Sequence, residues 1–256
     1  MHDVESASVS LVIPAKNESR NLEYVFSRIP EWIDEVILVD GNSSDDTVAV
    51  ARSLRPDVKV VGQDRKGKGA ALRSGFAACT KEIVIMIDAD GSMDPREIPA
   101  YVGALLAGAD FVKGSRFMQG GDTFDMEWYR RLGNWGFVKL VKWRFGGRYS
   151  DLCYGYIGFW RTALLHMSLE EDDGFEIETS MNIQALTSGL DVHEVPSMEA
   201  PRIYGVSNLR TFPDGWRVLR KIIQLGLKRP DRQPAQRPRR ARMETNLLGP
   251  ADIADS

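Results

Sequence analysis

Hydrophobic residues in the first third of the chain fall into short apolar runs separated by segments with helical spacing. The runs are continuous rather than alternating, so both faces of each strand should be buried. Strands that alternate with helices in this way predict an α/β domain with a parallel sheet and helices on both sides. The predicted strands are Val9–Pro14, Glu35–Asp40, Val58–Gly62 and Ile83–Ile87, with helices at residues 18–28, 45–54 and 70–79.

The pattern changes after Asp90. The long amphipathic segment Glu127–Phe145 contains three tryptophans, and we favour a helix that packs them in the core over one that lies on a membrane. Residues 114–125 are rich in glycine and predict a mobile loop. Further helices are predicted at residues 95–108 and 174–187, and strands at residues 110–113, 152–160 and 192–196.

Length and composition fit one domain with polar ends. A chain of 256 residues that is 43% hydrophobic can form one large core over residues 9–226. Residues 1–8 are polar, and residues 227–256 are basic and rich in proline, so both are expected to be disordered. The acidic N-terminus lacks the pattern of a signal peptide, and no apolar stretch is long enough for a membrane span. These features predict a cytoplasmic protein.

Charge and cysteines exclude some functions. From Lys228 onwards there are seven basic and four acidic residues, so the preceding part has a net charge of −6, which argues against nucleic-acid binding. The basic tail has one functional alternative, a tether to anionic lipid. Cys79 and Cys153 lack the spacing of a zinc site, and we expect two reduced thiols.

Polar or turn-forming residues follow three of the predicted strands, at Pro14–Glu18, Asp40–Asn42 and Asp88–Asp90. The carboxyl ends of parallel strands share one edge of a sheet, and ligands bind there. Two carboxylates at positions i and i+2 can face one divalent cation, and hard oxygen ligands select Mg²⁺ or Mn²⁺. The alternative is that Asp88 and Asp90 only shape a turn.

Other nucleotide-binding motifs are missing from the sequence. No GxGxxG or GxxxxGK[ST] motif is present, and none of the three histidines lies in the context of a catalytic triad. Lys66–Gly69 has two interpretations that the sequence leaves equal. It is either a solvated turn or a site where amides and ammonium groups meet phosphates.

Seven segments resemble the inverting family 2 glycosyltransferases of the GT-A fold, in particular the dolichol- and polyprenyl-phosphate mannosyl- and glucosyltransferases. The resemblance covers about residues 9–210. It implies a Rossmann-like, mostly parallel sheet with a nucleotide-sugar half at 9–113 and, at 114–226, an acceptor half that forms a C-terminal extension. The segments are Val12–Glu18, Val39–Thr47, Lys66–Leu72, Asp88–Gly91, Gly114–Phe117, Arg131–Asn134 and Arg202–Leu209.

The resemblance implies roles for individual residues. Asp90 would be the main metal ligand and Asp88 would face both metal and ribose, while Arg116, Arg131 and Arg202 would contact phosphates. Glu178 would be the preferred base if the acceptor is a hydroxyl, with Asp151 and Glu176 as alternatives. Base and ribose would be held by Pro14, Ala15, Asn17, Glu18 and Asp40, the donor pocket would be bordered by Lys68, Gly69 and Ala89, and Ser207 would support the anionic site.

The chain departs from the family at Ser92, where a glutamine is expected. A hydroxyl is a poorer metal ligand, so we predict that water or donor phosphates complete the metal site. We also predict that Asp90→Asn abolishes metal-dependent turnover and that Ser92→Ala costs little.

The resemblance predicts a reaction but leaves its substrates open. We expect inverting transfer of mannose or glucose from a donor of the GDP-mannose or UDP-glucose class to a polyprenyl phosphate, at the inner membrane face. One alternative is transfer to a hydroxyl of a soluble small molecule. A nucleotidyltransferase is disfavoured because no glycine-rich basic signature follows the first strand. An alternative of another class is a non-catalytic nucleotide-sugar-binding domain, and a homodimer is a further expectation.

Overall fold

A computed structural model describes residues 7–124, 126–206 and 209–227. The strands are β1 (Val9–Ala15), β2 (Glu35–Asp40), β3 (Lys59–Gly62), β4 (Ile83–Met86), β5 (Phe111–Ser115), β6 (Asp122–Thr123), β7 (Ile157–Trp160), β8 (Val192–Pro196) and β9 (Met198–Glu199). The α-helices are α1 (Leu22–Phe26), α2 (Thr47–Leu54), α3 (Lys68–Ala78), α4 (Ile98–Ala107), α5 (Trp128–Phe145), α6 (Glu176–Thr187) and α7 (Thr211–Leu227). Short 3₁₀ helices cover Pro95–Glu97 and Arg161–His166.

Seven strands form one mostly parallel sheet in the order β3-β2-β1-β4-β7-β5-β8. Strands β1 to β4 run parallel to their neighbours in this group, and β5 is parallel to β8. The antiparallel strand β7 lies between β4 and β5. The predicted α/β fold with a mostly parallel sheet is therefore confirmed.

The sheet is buried on both faces, as its continuous apolar strands predict. Leu11 and Ile13 of β1 point into one hydrophobic cluster, which also contains Leu22 and Tyr101 from the flanking helices. Val12 points to the opposite face and joins a second cluster. Successive side chains of a strand alternate between faces, so only a strand covered on both sides can be apolar throughout.

The helix α1 is much shorter than the predicted helix at residues 18–28. The Glu18 amide donates to Thr47 Oγ1 at 2.9 Å, and the Glu18 carboxylate accepts from the Asn21 side chain at 2.5 Å. These bonds hold residues 18–21 in a turn before the helix starts.

The prediction of a mobile loop at 114–125 was wrong for its ends, because Gly114 and Ser115 continue β5 and residues 122–123 pair with β9.

Helix α7 has no counterpart among the predicted elements. Val218 and Ile222 pack into a third cluster with Val141 of α5 and Ile183 of α6. Lys221, itself almost fully buried, forms an ion pair with the buried Asp172 before α6. Residues from 228 onwards, where the basic tail was predicted, and residues 1–6 lie outside the described part of the chain.

Helices of the described segments are too short or too polar to cross a bilayer.

Candidate active site

A cavity of about 720 Å³ opens at the carboxyl ends of β1 and β4. Its floor comes from the strand ends, and α3, α6 and the segment after β9 add its charged walls. This is the edge where a parallel sheet binds ligands. Ten of the predicted site residues line this cavity: Pro14, Ala15, Glu18, Lys68, Asp88, Ala89, Asp90, Arg116, Glu178 and Arg202.

Two predicted donor residues shape a loop beside the cavity instead of lining it. Asn17 has a positive φ of 57°, and its Oδ1 accepts from the Ser44 amide at 2.7 Å. Asp40 accepts from the Ser43 amide at 3.2 Å. The Asn17 contact joins the ends of β1 and β2, and the Asp40 contact lies within the loop after β2. Contact with base or ribose remains a prediction for both residues. Gly41, next to Asp40, does line the cavity.

Gly69 lies behind the cavity wall. Its amide donates to the Asp173 carbonyl at 2.9 Å, and a Cβ at this position would lie 2.0 Å from the Asp172 carbonyl oxygen. Gly67 makes a similarly close approach with a φ of 122°. The glycines of this motif therefore let the start of α3 pack on the segment before α6, and the Gly69 amide has a protein partner.

Lys68 bridges two carboxylates in the cavity. Its Nζ lies 2.6 Å from Asp88 Oδ1 and 2.6 Å from Glu178 Oε1. Burial disfavours the charged form of Lys68, but the two carboxylates outweigh this and raise its pKa. The pKa of Asp88 is raised to about 6. Burial is the main cause, and the negative charges of Asp90 and Glu178 add to it, while Lys68 opposes the rise.

Arg202 holds the second half of the charge network. Its guanidinium lies 3.1 Å from Asp90 Oδ2 and 2.8 Å from Glu18 Oε1. The amide and hydroxyl of Ser92 donate to Asp90 Oδ1 at 3.0 and 2.7 Å. Ser92 therefore orients Asp90.

Four carboxylates share two cationic side chains in this network, so it carries two excess negative charges. That excess, together with two hard oxygen ligands at Asp88 and Asp90, suits a divalent cation. Within the described residues, no group of three or more histidine, cysteine or acidic side chains could hold a metal ion.

Arg116 is committed to two carboxylates. Its Nε and Nη2 donate to Asp151 at 2.7 and 3.0 Å, and its Nη1 donates to Glu199 at 3.0 Å. Burial opposes ionisation of Asp151, but Arg116 and Lys113 outweigh it and hold its pKa below the usual range. Arg116 reaches the cavity wall, whereas Asp151 lies fully buried behind it.

Arg131 and Ser207 are not placed at the cavity by the structure. Arg131 Nη2 donates to the Thr123 carbonyl at 3.3 Å, and its neighbour Arg130 contributes to the wall instead. Ser207 lies outside the described residues. Phosphate contacts by Arg116 and Arg131 and the support by Ser207 thus remain predictions.

The three candidate bases occupy different places. Asp151 is bound by Arg116, and Glu176 Oε1 accepts from the Gly174 amide at 2.9 Å outside the cavity wall. Glu178 alone of these three lines the cavity. It lies in the first turn of α6, where Lys68 contacts it from the start of α3.

Sequence reasoning missed the wall formed by α5 and α7. The end of the cavity next to these two helices has an apolar lining, which is formed by Phe137 of α5 and by Trp216, Val218 and Leu219 of α7. The apolar positions of α7 recur with helical spacing, a signal that could have identified the helix. Glu199 was also missed, and no sequence motif marks it.

The comparisons with known proteins agree with the fold. The family model "Glycosyl transferase family 2" matches residues 10–167. An uncharacterised glycosyltransferase of Mycobacterium tuberculosis is 33% identical over 207 residues, which cover 79% of this chain and 89% of the relative. The polyprenol monophosphomannose synthase of Mycolicibacterium smegmatis is 30% identical over 211 residues, which cover 78% of this chain and 80% of that enzyme.

A solved structure shares the architecture. Glucosyl-3-phosphoglycerate synthase from Mycobacterium tuberculosis, in complex with Mn²⁺, uridine diphosphate and glucosyl-3-phosphoglycerate, superposes with a TM-score of 0.69. The identity is 23%, over 85% of this chain and 79% of that one, so this likeness concerns the fold, which is the GT-A fold implied by the sequence motifs. The chain belongs to glycosyltransferase family 2.

Proposed function

We propose that this family 2 glycosyltransferase moves a hexose from a nucleoside-diphosphate sugar to a polyprenyl phosphate. The observation that carries the proposal is a continuous cavity that joins the acidic network around Asp88 and Asp90 to an apolar wall formed by α5 and α7. A donor with a charged diphosphate suits the first part, and an acceptor with a hydrocarbon chain suits the second. The similarity to a polyprenol monophosphomannose synthase supports the same reaction.

Asp88 and Asp90 would hold Mg²⁺ or Mn²⁺ at the donor end. A divalent cation neutralises charge on the departing nucleoside diphosphate. Both carboxylates reach the cavity, while Ser92 fixes the orientation of Asp90. Structural neighbours bind uridine diphosphate with Mn²⁺ or Mg²⁺, which supports a nucleoside-diphosphate sugar as donor, and both UDP-glucose and GDP-mannose belong to this class.

Arg202 and Lys68 would balance charge as the donor binds. Each now contacts two carboxylates, so either can turn towards donor phosphates when a cation takes over one of those contacts. Cationic side chains that are held in a partly buried site stabilise the negative charge that develops on a leaving group, because no water has to reorganise around it. Arg202, with its two carboxylate partners at 2.8 and 3.1 Å, is the better placed to contact the diphosphate beside Asp90.

The acceptor end needs no base if the nucleophile is a lipid phosphate, because a phosphate oxygen is already anionic. Arg130 lies on the cavity wall beside the apolar side chains and could attract that phosphate. The apolar residues Phe137 and Leu219 would contact the first isoprene units. This arrangement is consistent with an enzyme that acts at the inner membrane face.

One observation favours a second acceptor class. Glu178 lines the cavity and is held by Lys68, so a soluble acceptor hydroxyl could lose its proton to this carboxylate. Glucosyl-3-phosphoglycerate synthase from Mycobacterium tuberculosis, which shares the fold, was solved in complex with phosphoglyceric acid, a soluble molecule.

The decisive experiment incubates the purified chain with Mn²⁺ and labelled GDP-mannose or UDP-glucose. A polyprenyl phosphate in detergent is one acceptor and a fraction of small soluble metabolites is the other. We expect label in the organic phase and none with Asp90→Asn. Label only in soluble products would overturn the lipid acceptor, and donor binding without transfer to any acceptor would favour a non-catalytic binding domain.

Glu178→Gln separates the two transfer mechanisms. The amide keeps the shape of the side chain but cannot accept a proton. Transfer to a lipid phosphate should survive, since that acceptor needs no base. Loss of turnover with unchanged donor affinity would instead identify Glu178 as the base for a hydroxyl acceptor.

A further inference from the structure

The tryptophans of α5 face solvent, contrary to the expectation that they pack in the core. Trp128 is 72% exposed and Trp143 is 81% exposed, with Trp135 between them at 59%. Together with Leu132 and Lys139 they occupy positions spaced by three or four residues, which places all five on one face of the helix. The core contact of α5 is made from the other side, through buried residues such as Val141.

Helix α7 carries a second exposed stripe. Phe212, Trp216, Ile223 and Leu227 are all more than half exposed, and Arg220 lies among them with the same helical spacing. The opposite side of α7 is buried against α5 and α6. Each helix is therefore apolar on two faces, of which only one has a protein partner among the described residues.

The two stripes adjoin. The ring of Tyr129 on α5 stacks on Phe212 of α7, with centroids 6.4 Å apart and planes 10° from parallel. Among the residues that the structure describes, nine of the eighteen exposed large hydrophobic side chains lie on these two helices. They thus form one patch instead of scattered single contacts, and a patch of this kind marks an interaction site.

The charge of the patch identifies its partner. Helix α5 contains five basic residues and no acidic one, and the exposed charges of α7 are Arg217 and Arg220. The whole chain, by contrast, has a net charge of −3. Tryptophan with lysine or arginine on one helix face suits the boundary between lipid headgroups and acyl chains, especially where the lipids are anionic.

We propose that the exposed faces of α5 and α7 dock the protein on the surface of an anionic phospholipid bilayer. The helices would lie in the plane of the interface, with tryptophan rings among the headgroups and Lys139 and Lys142 against lipid phosphates. Phe212 and Trp216 also line the apolar end of the cavity, so the cavity opens at this surface. An amphiphilic acceptor could then enter from the bilayer. The docking goes beyond the proposed transfer reaction and does not rest on it.

The test measures binding of the full chain to phosphatidylglycerol-containing vesicles and to pure phosphatidylcholine vesicles, without donor or polyprenyl phosphate. We expect co-flotation with the anionic vesicles, weaker binding at high salt, and little binding to the neutral ones. The double variant Lys139→Glu/Lys142→Glu should bind at least about 30-fold more weakly, since each basic residue at such a surface contributes about fivefold and the introduced carboxylates add repulsion. The variant Trp135→Ser/Trp143→Ser should lose at least about tenfold.

Controls separate docking from folding and from catalysis. None of these four residues lines the cavity, so donor hydrolysis and the thermal midpoint should match the unmodified chain. Leu165→Ser removes an equally exposed apolar residue elsewhere and should leave vesicle binding unchanged. Vesicle binding that persists in both double variants would overturn the proposal. So would a dimer in solution that Trp135→Ser/Trp143→Ser dissociates, with no vesicle binding, because the patch would then join two copies of the chain.

Discussion

Asp151→Asn should lower the free energy of unfolding, because Asp151 supports the fold through a buried ion pair with Arg116. Asp151 is fully buried and accepts hydrogen bonds from the Arg116 side chain at 2.7 and 3.0 Å and from the Cys153 amide at 3.2 Å. The amide variant removes the charge and turns an NH₂ group towards a donor. Breaking a buried ion pair costs about 3–5 kcal/mol, and we expect the lower end because Glu199 still contacts Arg116.

The assay is urea unfolding at neutral pH, with a thermal scan beside it. A loss of about 3 kcal/mol lowers the midpoint of a chain of this size by roughly 6–12 °C. Asp57→Asn is the control, since the Asp57 side chain is 69% exposed and its ion pair with Arg55 should contribute less than about 1 kcal/mol. A loss below about 1 kcal/mol for Asp151→Asn would refute the inference that the buried Asp151–Arg116 ion pair stabilises the fold.

The pH dependence of the same variant gives an independent check. The pKa of Asp151 in the fold lies below that of an unfolded aspartate, because Arg116 and Lys113 outweigh the opposing effect of burial. The stabilisation is therefore fully present above the unfolded pKa of about 3.9 and is lost as the pH falls through the folded pKa. The difference in stability between the unmodified chain and Asp151→Asn should shrink in acid. A gap that widens below the unfolded pKa would contradict the sign of this argument.

Three further predictions concern the cavity. Asp90→Asn should abolish metal-dependent turnover, whereas Ser92→Ala should lower it by no more than about tenfold, the effect of one hydrogen bond of about 0.5–1.5 kcal/mol; equal losses would show that the metal ligands are misassigned. Gly155→Ala should weaken donor binding in calorimetry, because its Cβ would lie 2.4 Å from the carboxylate of the candidate base, while Gly103→Ala has open space and should have no effect; equal affinities would mean the site tolerates the displacement. Desolvation in the cavity wall raises the pKa of Cys153 to about 12, so iodoacetamide at pH 8 should alkylate it at least about tenfold more slowly than free cysteine by mass spectrometry, and rapid alkylation would contradict the raised pKa.

The N-terminal half of the fold could be predicted from sequence because several local signals agree there. Continuous apolar runs gave the four parallel strands, and the polar residues after β1 and β4 do meet at one cavity. Asp88 and Asp90 therefore lie where strand order alone would put them. The pairing of Lys68 with Asp88 and Glu178 was not predictable, because α6 is over a hundred residues away and its approach depends on the close packing of Gly67 and Gly69.

Arg116 shows that residue type alone does not reveal the protein partners of a side chain. An arginine beside a glycine-rich segment suggests a phosphate contact, and the family resemblance implies one, which stays a prediction. Three of its five N–H donors are bonded to Asp151 and Glu199. Neither partner is close to it in sequence, and only the antiparallel insertion of β7 and the β6–β9 pair bring them together.

The tryptophans of α5 were expected in the core but face solvent, because the period of a hydrophobic pattern does not say which face of a helix is buried. A helical repeat of apolar residues identifies a face but not the solvent that this face meets. In α5 the buried positions, such as Val141, and the exposed tryptophans have the same period and differ only in phase. The phase is decided by where α6 and α7 pack, and α7 was not predicted. Once α7 is in place, the basic residues on the outer face become the informative signal, since a core-facing stripe would not carry Lys139 and Lys142 beside Trp135 and Trp143.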